Sequence, residues 1–268
     1  MKLSKVVAIV VALPLVLGGC NMSDKDFKAK VEKTLLENPE IITKVIEEKP
    51  ALIMGALQKA AQKAQADMAK QRDEDEKKQL EQTYEKPLVP NIRADEAIVG
   101  DKNAPLTLVM YSDFQCPFCT KGYNVVKDLE KEYGKNIRYI YKHLPLSFHD
   151  QAMAAALYFE AIRLQSPEKA FAFHDEVFKN QRSLSEGKEK FLQSVAKKVG
   201  ADLKKIAADM AKPELKKRIE EDQAEAQKFE MSGTPGFLLN GVPVRGAYPV
   251  EYFKNIVEEL KKRGKVKL

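Results

Sequence analysis

One segment, LTLVMYSDFQCPFC from Leu106 to Cys119, decides the fold. Its first part, Leu106 to Tyr111, is apolar and rich in strand-forming residues, so we predict a buried β-strand there. Pro117 follows Cys116 directly, and proline is favoured in the first turn of a helix. Residues 120–133 continue with apolar side chains at helical spacing. The segment therefore predicts a strand that leads into a helix, with Cys116 at the junction.

The spacing of Cys116 and Cys119 points to redox chemistry. The only other cysteine in the chain is Cys20. A disulfide across so short a loop would add little stability, because the stabilisation grows with the length of the loop closed. A two-residue gap is better suited to reversible exchange. The positive end of the helix stabilises a thiolate at Cys116, so we predict Cys116 as the nucleophile and Cys119 as the resolving thiol.

A second motif lies in the segment MSGTPGFLL, which contains Thr234 and Pro235. Asn240-Gly241 follows it and is a strong hairpin-turn signal. Residues 242–247 are predicted as the return strand, and Pro249 to Lys262 as a closing amphipathic helix. Strand, hairpin, strand and terminal helix form the C-terminal half of a thioredoxin fold. A cis-proline opens the strand beside the active site of that fold, so we predict that Pro235 is cis.

These motifs resemble those of the DsbA family of periplasmic thiol–disulfide oxidoreductases. The resemblance runs from about Asp95 to the C-terminus and is carried by DFQCPFC (residues 113–119), YKHLPLSFH (residues 141–149) and GTPGF (residues 233–237). It implies an α/β protein whose thioredoxin fold is interrupted by a helical insert. Five helical patterns predict this insert at about residues 149–229.

The resemblance also implies an activity and a set of contacts. The protein is expected to be a disulfide oxidoreductase or isomerase, with exported proteins that contain cysteines as its substrates. A membrane redox partner, either an oxidase or a reductase, is expected to recycle the cysteine pair. Thr234, cis-Pro235, Pro117 and Phe118 are the expected substrate contacts. We expect neither a cofactor nor a metal.

Two positions depart from the family pattern. The pair between the cysteines is Pro-Phe, whereas the best-known oxidase has Pro-His, and Phe118 cannot stabilise a thiolate as a histidine can. Met110 stands where many relatives carry a buried glutamate, which leaves the proton acceptor for Cys119 unidentified. Lys142 is a candidate for electrostatic tuning, but we interpret it as a solvated lysine.

The N-terminus is typical of an export signal. Lys2 and Lys5 precede an apolar run from Val6 to Leu17, which is shorter than the roughly 20 residues that a membrane-spanning helix needs. The run ends in Leu17-Gly18-Gly19-Cys20, which resembles a bacterial lipobox. We therefore predict a lipoprotein signal peptide at residues 1–19 and a lipid on Cys20. The lipid would hold the protein at the inner or outer membrane of a Gram-negative bacterium, on the periplasmic side.

Residues between the signal peptide and the redox domain have a helical pattern of their own. We predict a helical arm at residues 20–66, interrupted by Pro39 and Pro50, then a charged helical linker at residues 67–90 and the redox domain at residues 91–268. The arm resembles the N-terminal oligomerisation arms of the ScsC-like branch of the family. We therefore expect a homodimer or homotrimer.

The same residues are compatible with other functions. Cys116, Cys119, His143 and His149 could form a zinc site, although the gap before His143 is longer than in a usual zinc finger. The reduced thiol pair could also bind copper(I), or the cysteines could be incidental to a peptide-binding chaperone. The net charge is +6, but basic and acidic residues are interleaved, so we expect no nucleic-acid partner.

Overall fold

The computed structural model describes residues 23–268, apart from the side chains of residues 72, 73 and 76. The predicted signal peptide at residues 1–19 and the predicted lipid attachment at Cys20 lie outside the described residues. The described residues divide into two compact units, residues 23–72 and Asp73–Leu268.

The described part of the first unit is helical. Its helices are α1 (Asp24–Glu37), α2 (Glu40–Glu48) and the beginning of α3 (Pro50–Glu85). Ser23 caps α1, because its side chain accepts the main-chain N–H of Asp26. Pro39 and Pro50 mark the starts of α2 and α3. Neither α1 nor α2 contains a buried residue; Leu35 is half-buried, and the other large apolar side chains of these helices are exposed.

The second unit is built on a five-stranded sheet with the order β1-β3-β2-β4-β5. The strands are β1 (Ile98–Val99), β2 (Leu106–Ser112), β3 (Ile137–His143), β4 (Gly236–Leu239) and β5 (Val242–Arg245). β2 and β3 are parallel, with Met110 opposite Tyr141, whereas β4 is antiparallel to both β2 and β5. Asn240 and Gly241 close the β4–β5 hairpin with positive φ angles of 49° and 84°, as a tight two-residue turn requires.

Seven helices complete the described part of this unit. They are α4 (Pro117–Tyr133), α5 (Ala152–Arg163), α6 (Pro167–Lys179), α7 (Gln181–Lys198), α8 (Leu203–Met210), α9 (Pro213–Lys228) and α10 (Val250–Lys262). Five of them, α5 to α9, lie between β3 and β4 and form the helical insert. Among the helices of residues 23–268, none combines the length and the apolar composition that crossing a bilayer requires.

An aromatic core joins the insert to the junction between β2 and α4. Phe114, two residues before Cys116, packs its ring against Tyr141 of β3 at a centroid distance of 5.0 Å and against Phe178 of α6 at 5.2 Å. All three rings are almost completely buried. Because aromatic side chains bury large apolar areas, this contact fixes the insert against the segment that carries the cysteines.

The end of α3 belongs to the second unit. Tyr84 is buried, and the guanidinium of Arg263 lies 4.5 Å from the centre of its ring. Arg263 also pairs with the carboxylate of Glu81 at 2.8 Å. Residues 67–90 are predicted as a linker, yet within that range Tyr84 is part of the core of the redox unit.

Candidate active site

A tight turn joins β2 to α4 and places Cys116 at the start of the helix. Cys116 is the N-cap residue of α4, and Pro117 follows in the first turn. Asp113 holds the turn, because its main-chain carbonyl accepts the N–H of Cys116 (3.2 Å) and its carboxylate accepts the N–H of Gln115 (2.7 Å). The Cys116 sulfur is therefore close to the free N–H groups and the positive end of α4, which favour a thiolate.

Asp113 also connects this turn to the loop after β3. Its side chain is completely buried. One carboxylate oxygen accepts the N–H of Leu146 at 2.8 Å and lies 2.7 Å from Nδ1 of His149. The sequence alone does not identify Asp113 and His149 as a bonded pair. Their only sequence signal is that each lies in a motif that carries the family resemblance.

Cys119 lies one turn further along α4 and is completely buried. The main-chain N–H of Asp113 donates to its sulfur at 3.4 Å. Gly122 allows α4 to pack closely here, since a Cβ atom at this position would lie 2.8 Å from Met110 Cε and 3.2 Å from Pro235 Cγ. A larger residue would push α4 away from the loop that contains Pro235.

The loop before β4 meets the first cysteine. The peptide bond between Thr234 and Pro235 is cis, and the Cys116 sulfur lies 3.5 Å from the carbonyl oxygen of Thr234. Phe118, which lies between the cysteines, is 58% exposed. The structure thus brings Cys116, Cys119, Thr234 and Pro235 together, with Phe118 at the surface beside them. Their individual roles remain predictions.

The two thiols, neither of which is in a disulfide, differ strongly in acidity. A hydrogen bond from the Cys119 thiol, opposed by burial, lowers the pKa of Cys116 to about 5, and the Thr234 hydroxyl contributes in the same direction. Burial raises the pKa of Cys119 well above its ordinary value, and the interaction with Cys116 adds to the increase. At neutral pH Cys116 is therefore the cysteine that carries the thiolate. A thiolate is more nucleophilic than a thiol.

The low pKa of Cys116 can be measured directly. In the Cys119→Ser variant, which keeps a hydrogen-bond donor, we expect the ultraviolet absorbance of the thiolate to appear with a midpoint well below the value of about 8.5 for a free cysteine. The pKa of Cys116 is lower in the folded protein than in the unfolded chain. The Cys116 thiolate therefore stabilises the reduced, folded protein against unfolding at high pH, and this stabilisation is lost as the pH falls through about 5. A midpoint at or above that of a free cysteine would contradict the assignment of Cys116 as nucleophile.

The interpretation of Lys142 as a solvated lysine is wrong. Its ammonium group is 1% exposed and lies between the carboxylates of Asp222 (3.1 Å) and Glu225 (2.9 Å). A buried charge requires such partners, and both come from α9, about 80 positions further along the chain. Spacing along the sequence gives no sign of this contact.

The two histidines that could bind zinc together with the cysteines, His143 and His149, each contact a carboxylate. Nε2 of His143 lies 3.1 Å from the carboxylate of Glu160, and His149 binds Asp113. Among the residues that the structure describes, no group of three or more His, Cys, Asp or Glu side chains is placed to hold a metal ion.

The site combines two thiols of unequal acidity at the start of a helix with a cis-proline that precedes a strand of the sheet. This combination defines a thiol–disulfide oxidoreductase of the thioredoxin class. A family model described as thioredoxin matches residues 93–259, which is well over half of the chain. The chain belongs to this thioredoxin family. The matched range includes both cysteines, the sheet and the helical insert.

Solved structures have the same fold. A thioredoxin-like oxidoreductase from Silicibacter pomeroyi DSS-3 is 26% identical, with a TM-score of 0.55 over 63% of this chain and 94% of that chain. The thiol-disulfide exchange protein alpha-DsbA2 from Wolbachia pipientis is 19% identical, with a TM-score of 0.56 over 70% of this chain and 97% of that chain. The predicted thioredoxin fold with a helical insert, the resemblance to DsbA proteins and the oxidoreductase class are confirmed.

The curated relatives are much longer proteins. The Na(+)/H(+) antiporter NhaA of Herminiimonas arsenicoxydans is 31% identical over 179 residues, which make up 67% of this chain but 27% of the antiporter. The chain thus spans about a quarter of the length of the curated relatives it matches. The similarity is to one portion of a larger protein, and we infer no ion transport from it.

Proposed function

We propose that this protein exchanges disulfide bonds with exported client proteins, forming or reshuffling them through Cys116 and Cys119. The observation that carries the proposal is the pairing of an acidic thiol at the start of α4 with a buried, weakly acidic thiol one turn behind it. Such a pair can form a mixed disulfide with a client and then resolve it.

In the proposed cycle the Cys116 thiolate attacks a client disulfide. A bond forms between Cys116 and one client sulfur, and the other client sulfur leaves as a thiolate. Cys119 then loses its proton to solvent and attacks the Cys116 sulfur, which releases the client and forms the Cys116–Cys119 disulfide. The client is reduced and the cysteine pair is oxidised. The same steps in reverse transfer a disulfide to a reduced client.

We propose that clients bind across the loop of Thr234 and Pro235 and the exposed residues Pro117 and Phe118. The Thr234 carbonyl lies 3.5 Å from the Cys116 sulfur, so a client bonded to that sulfur would lie against this loop. Phe148, which is 77% exposed, lies with its ring 4.6 Å from that of His149, the residue that contacts Asp113 of the active-site turn. Exposed apolar surface suits clients that are not completely folded.

We place this activity in the periplasm of a Gram-negative bacterium. The lipobox at residues 17–20 supports a lipid on Cys20, and with it attachment to the inner or outer membrane. A membrane protein would then keep the cysteine pair oxidised or reduced. We further propose that the arm, residues 20–66, joins two or three copies, which is supported by the absence of buried residues in α1 and α2 of one copy.

The proposed function is tested with the mature chain carrying Cys20→Ser, so that no lipid is needed. We expect it to catalyse the reduction of insulin and the reactivation of scrambled ribonuclease. Because a low pKa of Cys116 stabilises the reduced form, we expect a reduction potential above the value of about −270 mV for thioredoxin. The matched control replaces both Cys116 and Cys119 with Ser. Insulin reduction no faster than with this control would refute the proposal.

A further inference from the structure

Three hydroxyl groups near Cys119 are buried without a hydrogen-bond partner. They belong to Ser112, Tyr141 and Thr234; the described part of the chain has seven such side-chain atoms, and the one further hydroxyl among them is that of Thr120. Leaving a buried hydroxyl unpaired costs free energy, and unpaired groups in a native structure call for an explanation. Their grouping around one thiol suggests that they find their partner during the reaction.

Ser112 lies on the same side of the sheet as Cys119. Alternate residues of a strand share a face, so Ser112 points to the same side as Met110. The Met110 methyl group packs against Gly122 of α4, 2.8 Å from the position of a Cβ atom there. The main-chain N–H of Asp113, the next residue, donates to the Cys119 sulfur at 3.4 Å. The Ser112 hydroxyl is thus directed towards α4, beside the buried thiol.

Tyr141 is on the same face of the neighbouring strand. It lies opposite Met110 in the parallel pair of β2 and β3. Tyr139, two residues earlier on that face, donates to the Met110 sulfur at 3.4 Å. The Ser112 hydroxyl is close enough to influence both Cys119 and Tyr141. It therefore shares this face of the sheet with the thiol and the phenol, and Met110 itself offers no proton acceptor.

We propose that the Ser112 hydroxyl, supported by Tyr141, donates a hydrogen bond to the Cys119 thiolate and so stabilises it in the resolving step. This inference rests on the proposed function, in which Cys119 resolves a mixed disulfide on Cys116. As Cys119 loses its proton to solvent, a charge develops in a buried site, and a hydrogen bond to a charged sulfur is stronger than one to a neutral thiol. In the reverse direction the same groups stabilise Cys119 as the leaving thiolate.

Thr234 contributes a third hydroxyl to the same site. It acts on both sulfurs, and its carbonyl contacts Cys116. A change at Thr234 would therefore disturb both chemical steps. Ser112 and Tyr141 are the better residues to test, because they interact with Cys119 and not with Cys116.

The test follows the two steps with an aromatic disulfide, dithiobis(nitrobenzoate), as the probe. Attack by Cys116 releases one coloured thiol in a bimolecular phase, and attack by Cys119 releases the second in a unimolecular phase. We expect Ser112→Ala to slow the second phase roughly ten- to a hundredfold, the range for losing a hydrogen bond to a charged group, and to leave the first phase unchanged. Tyr141→Phe should slow the second phase less.

Controls separate a chemical role from a structural one. Tyr158→Phe removes the hydroxyl of another buried tyrosine, one that donates to Glu189 of α7, and should leave both phases unchanged. Ser112→Thr keeps the hydroxyl and should restore the second phase. In Ser112→Ala the pH profile of this phase should move to higher pH, whereas a packing defect would lower the rate equally at every pH.

A folded Ser112→Ala protein with an unchanged second phase would overturn the inference. If Ser112→Ala does not fold, Tyr141→Phe decides, and an unchanged rate and pH profile in that variant would overturn it equally. If the proposed function itself is wrong, the unsubstituted protein will release the first coloured thiol without ever releasing the second. This result is distinct from an unchanged second phase in Ser112→Ala.

Discussion

The Cys119→Ala variant should accumulate a covalent complex with a disulfide-bonded client, and the Cys116→Ala variant should accumulate none. Cys116 lies at the start of α4, where the free main-chain N–H groups favour its thiolate even without Cys119, so it forms the mixed disulfide. Without Cys119 nothing within the protein can resolve that bond. Non-reducing gels after incubation with scrambled ribonuclease would show the complex as a band that disappears on reduction.

Both variants should keep the fold of the unsubstituted protein, and removal of the nucleophile should strongly lower the rate of insulin reduction. We expect Cys116→Ala to lose insulin reduction by at least about a thousandfold, as is typical when a nucleophile is removed. Thermal unfolding of the reduced variants serves as the control for folding. Equal trapping by both variants would reverse the assignment of nucleophile and resolving thiol.

The junction between β2 and α4 could be predicted because its signals are local. A run of strand-forming residues, a proline after Cys116 and apolar helical spacing up to residue 133 are all readable within one short stretch. The β4–β5 hairpin is similarly encoded by Asn240-Gly241, since few other residue pairs adopt two positive φ angles. In both places the local preference and the final fold agree.

The polar groups behind the cysteines could not be predicted, because they meet only through tertiary packing. Asp113 and His149 are 36 positions apart and touch only once the loop after β3 folds over the active-site turn. Ser112 and Tyr141 come together through the register of two parallel strands. Lys142 resembles a surface lysine until α9 supplies its carboxylates. The sequence marks the end of strand β3, where Tyr141 and Lys142 lie, only by the family motif at residues 141–149.

The arm presents apolar side chains that one copy leaves uncovered. Phe27 of α1 is 56% exposed, and Ile42 and Ile46 of α2 are 49% and 45% exposed. Ile42 and Ile46 are four residues apart and share one face of α2, and exposed apolar patches mark interaction surfaces. A second or third copy of the same arm would cover these side chains and hold several catalytic units together. Sites held in this way could admit misfolded clients and hinder a membrane oxidase, which favours isomerisation over indiscriminate oxidation.

We therefore expect mature Cys20→Ser protein to be a dimer or trimer by light scattering, and removal of residues 21–72 to give a folded monomer that keeps Tyr84 in its core. The monomer should still reduce insulin but lose activity on scrambled ribonuclease. Ile42→Glu with Ile46→Glu should weaken assembly by about tenfold or more for each buried isoleucine lost. Thr43→Glu adds one negative charge to the same helix without removing an apolar side chain and should leave assembly intact. If the mature protein is a monomer at micromolar concentration, the arm does not join copies, and simple oxidation of clients becomes the better account of this enzyme.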